Sequence, residues 1–442
     1  VTSIDGATFN GVSNLTTGNG GVTSLAGALS TTGTQTYNDN VMLAGTTALD
    51  PGAGSVTFAG TLEAPATSRG LSITAGNVIR FGGAVGGNGN ALASLTTVGG
   101  TTRVDGGAVT TTGTQTYNNA VVIGANTSLS STSGNITFGN ALDADAASSN
   151  RTLLVNAPTG TVTFSGNVGA SQAFADLDVI AGPNTIVFNG AAPQSVNVAA
   201  QGGNTATFNG PVRLDQDLTI NSGGAASNSV AFAGTINGNA ANVRMLTVNA
   251  GTGNVSVGTA GDVVPLATLT TNGNTVSFGG SAVAQQIFIV ANQVLIDPLA
   301  GLIKATLPFA GFNGPAALTL SGPSTTGGIF GTESNALHVD VPGLLVVTPN
   351  ESRSFPTVWL RGDPSGKPRY QFYQDPARRE VVYNSRPVLF DLELKELRED
   401  RERRLTIEEA ESAAGQAKEP DLCNAASSDA NGVLMCEVAK RD

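Results

Sequence analysis

Few residues in this chain could do chemistry, and its cysteines come first. Cys423 and Cys436 are the only two in 442 residues, and the second lies six positions before Asp442. Twelve residues separate them. Two thiols at that spacing can close a small loop, worth roughly 3 kcal/mol in the chain-entropy model. The loop is either a local staple or a bulky stop on a chain that passes through a narrow opening. Its place at the end of a long cysteine-free body favours the stop, because a staple would do more inside a folded region.

The other reactive side chains are scattered. Asp143/Asp145, Asp176/Asp178 and Asp215/Asp217 are Asp-x-Asp pairs, and on a strand positions i and i+2 share a face. Calcium takes six to eight oxygens, so two carboxylates are too few alone and surface acidity accounts for them. His338 is the single histidine, so no Ser-His-Asp set can form without it. Arg361-Gly362-Asp363 spells an integrin-binding tripeptide, but Gly-Asp-Pro is also ordinary turn chemistry. Polysaccharide lyases and hydrolases built on β-helices need converging carboxylates, Arg, Lys or metal ligands. Residues 1–340 hold only 7 Lys+Arg and 15 Asp+Glu, spread along the chain. No catalytic, metal or cofactor residue is expected, and a polysaccharide-active enzyme is the minor alternative.

The net charge of −11 argues against nucleic acid, whose binding draws on a basic patch. An acidic, Thr/Asn-rich surface and one cysteine pair suit an extracellular, oxidising setting. No run of 18 apolar residues occurs that could span a membrane as a helix. Val1-Thr2-Ser3-Ile4-Asp5 reads as the middle of a repeat, so the expectation is the C-terminal portion of a longer protein.

The elements that must position these residues are announced by repeats. Thr31-Thr32-Gly33-Thr34-Gln35-Thr36-Tyr37-Asn38 returns unchanged at Thr111–Asn118, 80 positions on. A shorter unit, an alternating β-branched strand ending in Phe and followed by a small residue and Gly, recurs every 20–26 residues from Phe138 onward. The intervals are 26, 24, 20 and 24, then a double interval of 46 with Val257 in its middle place. Period-two alternation broken by Gly or Asn-Gly means strands, and each unit is too small to bury a core of its own. Stacking supplies that core. The expected fold is all-β: a right-handed parallel β-helix of 20–26-residue rungs over 1–340, a β cap over 341–390, and a short charged helical tail. Ig-like sandwiches, which need about 100 residues per repeat, fit less well. The cap is expected to hold a hairpin pairing Tyr370–Gln374 with Glu380–Asn384. The helical segment covers 391–415, with Thr406 and Glu409 at capping-box spacing. A linker and the cysteine loop fill 416–442.

Repeats of the form Thr-Gly-Thr-Gln-Thr-Tyr-Asn, followed by Val/Ile strands and Ser-Val-Thr-Phe, resemble filamentous-haemagglutinin-like exoproteins of bacterial two-partner secretion. The resemblance covers residues 1–340. Such proteins cross the outer membrane through a TpsB-type outer-membrane transporter, and a subset stays attached because a C-terminal disulfide loop lodges on the periplasmic side. Cys423 and Cys436 match that hook in position and spacing. Upstream, Ser412-Ala413-Ala414-Gly415 resembles the di-alanine site that a LapG-type periplasmic protease cuts in surface-retained adhesins. CdrA-type biofilm matrix adhesins combine these features. The resemblance implies a surface adhesin held by the Cys423–Cys436 hook and released by cleavage at Ala413-Ala414-Gly415; it does not name the ligand, for which exopolysaccharide, host glycan and self-association all stand open. The alternative is a freely secreted adhesin whose disulfide is only structural.

Overall fold

A computed structural model describes residues 1–289 apart from six short segments (7–11, 19, 66–68, 147–150, 199–204 and 224–227), then the backbone of 290–296 and of seven strands between 302 and 371. The described chain is all-β, without a helix, and its parallel strands form a β-solenoid of about 11 turns. It divides into two compact units, Val1–Gly234 and Thr235–Asp442.

Short strands of alternating character build the first unit. Val162–Phe164 buries Val162 and Phe164 and leaves Thr163 half-buried, and Ile136–Phe138 does the same with Thr137. β-Branched and aromatic residues favour this geometry, and alternation sends every second side chain inward. Where the chain bends, glycine is required by both conformation and space. Gly86 has φ +70°, and a methyl group there would stand 2.1 Å from the Thr110 carbonyl oxygen of the next turn.

Three sheet faces result, each a ladder of parallel strands in register. The inward column of the first face runs from Thr17 through Tyr37, Phe58, Phe81 and Val104 to Ile123. The second runs from Thr23 through Val41, Leu62 and Val85 to Val109, Leu129, Val155, Val179, Phe208 and Phe232. The third runs from Leu29 through Leu49, Ile73, Thr97 and Tyr117 to Phe138, Phe164 and Phe188. Steps on the third face range from 20 residues (Leu29 to Leu49) to 26 (Phe138 to Phe164), the period expected from the sequence.

The 80-residue repeat is not a whole number of turns. From Tyr37, three turns along the first face lead to Val104; the chain then crosses the second face at Val109 before reaching Tyr117 on the third. The two identical octapeptides therefore stand on different faces, three and two-thirds turns apart. The phenylalanines likewise form three stacks rather than one. Tyr37, Phe58 and Phe81 stack at 5.1 and 5.6 Å between ring centroids. Tyr117, Phe138, Phe164 and Phe188 stack at 5.3–5.4 Å. Phe208 and Phe232 stack at 5.0 Å on the second face. Phe188 meets Phe208 edge-on at 70°, so the 20-residue interval between them is a step from one face to another.

In the second unit, Leu266–Phe278 pairs in parallel with Ala282–Ile296, from Leu266 opposite Ala284 to Phe278 opposite Ile296. Val257 lies in register with Phe278, which is the middle place assigned to it from the intervals. Just before the boundary expected at 340, Gly331–Thr332 pairs antiparallel with the start of Asn335–Asp340. Gly343–Thr348 runs parallel to Ala316–Ser321, and Leu344–Val346 is in turn paired in parallel with Arg369–Gln371. The rest of the expected hairpin, the helical segment 391–415 and the region 416–442 lie outside the described residues.

Candidate functional site

Cys423, Cys436, Ala413, Ala414 and Gly415 lie outside the described residues, as does Arg361-Gly362-Asp363. The strand predicted just before that tripeptide is present as Val358–Leu360. His338 sits within the strand Asn335–Asp340, in register with Leu302 on one side and Trp359 on the other.

In the first unit several charged side chains are joined to one another. Asp105 binds Arg80 at 2.6 Å and Arg103 at 2.8 Å; Arg103 reaches Asp145 at 3.5 Å, and Asp145 binds Arg151 at 2.9 Å. The result is a ladder of three guanidinium and two carboxylate groups across successive turns. The hydrogen bond from Arg151 holds the Asp145 carboxyl below the ordinary carboxylate range. Arg213 pairs with Asp215 at 2.9 Å, and Arg69 donates to the Leu43 carbonyl. Arg80, Arg103 and Arg69 tie turns together, whereas Arg213 and Asp215 are two residues apart in sequence.

The three Asp-x-Asp pairs part company here. Asp143 is buried and accepts from the backbone N–H groups of Ser171 (2.8 Å) and Gln172 (3.3 Å), fixing a loop one turn away, while Asp145 joins the ion-pair ladder. Asp215 is held by Arg213. Asp176 and Asp178 face a common space, a groove of about 320 Å³ on the second face whose other polar walls are Asn126, Thr127, Ser128 and Thr152. Asp176 accepts from the Thr205 hydroxyl. Partial burial, and then the charge of Asp176, raises the carboxyl of Asp178 above its ordinary value. The groove has hydroxyl, amide and carboxylate walls, a lining able to hydrogen-bond a hydroxylated ligand. Among the described residues no group of three or more His, Cys, Asp or Glu could hold a metal ion.

A buried polar network escaped the sequence reading, although the octapeptide was its signal. Gln115 is wholly buried, and its amide N–H groups reach Val109 O (3.2 Å), Thr111 Oγ1 (3.3 Å) and Ser130 O (2.8 Å). Its Oε1 accepts from the Tyr117 hydroxyl at 2.9 Å. The first copy repeats the pattern: Gln35 reaches Leu29 O and Thr31 Oγ1, both at 3.2 Å, and accepts from Tyr37 at 3.0 Å. Gln and Thr join two faces at a corner, and Tyr opens an aromatic stack. Thr-x3-Gln-x-Tyr is thus a corner motif, which explains why it survives a change of face.

No helix among the described residues is long and apolar enough to cross a membrane. No family model, curated protein or solved structure matches the chain.

Proposed function

We propose that this chain is the stalk and C-terminal anchor of a large bacterial surface adhesin, serving retention, aggregation and biofilm formation without enzymatic activity. The observation that carries the reading is the cysteine pair, Cys423 and Cys436, at the end of a body that has no other cysteine and is built as a parallel β-solenoid. In this reading the two thiols close a hook on the periplasmic side of a TpsB-type transporter, and the solenoid stands outside the cell. A LapG-type protease cutting between Ala413 and Ala414 releases it. The ion-paired arginines favour a structural role over a catalytic one, because a charge held in a staple is not available to a substrate. The groove walled by Asp176 and Asp178 suits an exopolysaccharide better than a nucleic acid, since its charge is negative.

Cell fractionation of the full-length protein carrying Cys423→Ser or Cys436→Ser tests the reading. Both variants are expected in the medium while the parent stays with the cells, and replacing Ala413 and Ala414 is expected to block release of the parent. Equal distribution of parent and variants would reduce the loop to a local staple.

A further inference from the structure

The two identical octapeptides are followed by different residues, Asp39 and Asn119. Each stands two positions after the motif's Tyr and two before the next buried Val, and each is nearly buried, at 6% and 3% exposure. Asn119 is fully used. Its Oδ1 accepts from Thr97 Oγ1 (2.8 Å) and Thr102 Oγ1 (3.1 Å), and its Nδ2 donates to Gly100 O (2.6 Å). Thr97 is in register with Tyr117, and Thr102 with Val121.

Thr17 and Thr23 occupy the matching places at the first copy, in register with Tyr37 and Val41. They are as buried, at 5% and 0% exposure, yet neither hydroxyl has a hydrogen-bond partner among the described residues. The connection between them is one residue longer, 18–22 against 98–101. It brings the Gly21 N–H to 3.0 Å from Asp39 Oδ1. Asp39 Oδ2 faces Gly18 and Gly21, where a methyl group on either would stand 3.7 Å away. No Arg or Lys among the described residues pairs with Asp39.

One corner thus collects a buried carboxylate without a cationic partner and two buried hydroxyl oxygens without partners. A buried ionised carboxylate is costly unless its charge is met. Water could satisfy the hydroxyls but would leave the charge standing. Carboxylate and hydroxyl oxygens are ligands for hard cations, and a single negative charge is balanced by a monovalent one. We propose that this corner binds a sodium or potassium ion through Asp39 Oδ2, Thr17 Oγ1 and Thr23 Oγ1. At the sister corner the Asn119 amide does the same work with its own N–H.

Hydrogen exchange over residues 15–43 of the full chain, compared in NaCl, KCl and tetramethylammonium chloride at one ionic strength, tests this. Sodium or potassium is expected to slow exchange several-fold relative to tetramethylammonium. Asp39→Asn is expected to exchange slowly in all three salts, and Asn119→Asp to give residues 95–123 a new cation dependence. Should Asp39→Asn fail to fold, Thr23→Val keeps the acid, removes one ligand and is expected to lose the sodium effect. Identical exchange of the parent in the three salts, or a sodium effect that survives in Asp39→Asn or Thr23→Val, would overturn the proposal. So would slowing by CaCl2 alone.

Discussion

A buried glutamine is tolerable only when its amide is used at both ends, and Gln115 meets that condition through Val109, Thr111, Ser130 and Tyr117. Gln115→Leu keeps most of the volume and strands several buried groups at once, so it is expected to destabilise the protein by about 2–4 kcal/mol. Tyr117→Phe removes a single hydrogen bond and is expected to cost about 1 kcal/mol. Urea denaturation of the three proteins checks the order. The same tyrosines set a limit in alkali. Burial raises the hydroxyls of Tyr37 and Tyr117 above their ordinary value of 10.0. In the unfolded chain they lose their protons near that pH, whereas the folded chain keeps them. The contribution is fully present below pH 10 and is lost as pH rises toward the folded values. A Tyr37→Phe/Tyr117→Phe protein is therefore expected to show a flatter fall in stability above pH 10 than the parent.

Individual strands were easy to read and their assignment to faces was not. Val-Thr-Phe and Ile-Thr-Phe carry their own alternation, so Val162–Phe164 and Ile136–Phe138 are visible in the sequence as strands with Thr outward. The rung period was equally visible, because each turn must return to the same column. The face was hidden because the same spacing turns different corners. Three residues separate Tyr37 from Val41 and three separate Tyr117 from Val121, yet the first pair steps from the first face to the second and the second pair from the third to the first. Cross-linking reads this directly. Arg103 lies in register with Val122 on the first face, whereas Thr116 neighbours Thr96 and Thr137 on the third. Arg103→Cys with Val122→Cys is expected to form a disulfide, since parallel neighbours fall within its Cα range. Arg103→Cys with Thr116→Cys is expected to form none. The reverse outcome would mean that both octapeptides share a face.

Along the whole chain, sequence and structure speak to different halves of the question. Residues 1–340 carry 7 Lys+Arg and 15 Asp+Glu, and the last 102 carry the remaining 15 and 18. The sparse-charge part yields its fold from periodicity and gives little about function, because Thr, Gly and Asn at the rungs serve stacking first. The buried Gln-Tyr network and the Asp39 corner could not be foreseen, since composition does not reveal which polar residues turn inward. The functional reading rests on the other part, where two cysteines and a di-alanine step stand in a row. It makes one demand that is simple to check. Cells displaying the full-length protein are washed, treated with a membrane-permeant reductant, and the medium is assayed for the protein. Reduction is expected to shed the parent at once and to change nothing for a Cys423→Ser/Cys436→Ser protein, which is already free. Parent that stays on the cells after its Cys423–Cys436 bond has been reduced would contradict retention by the hook.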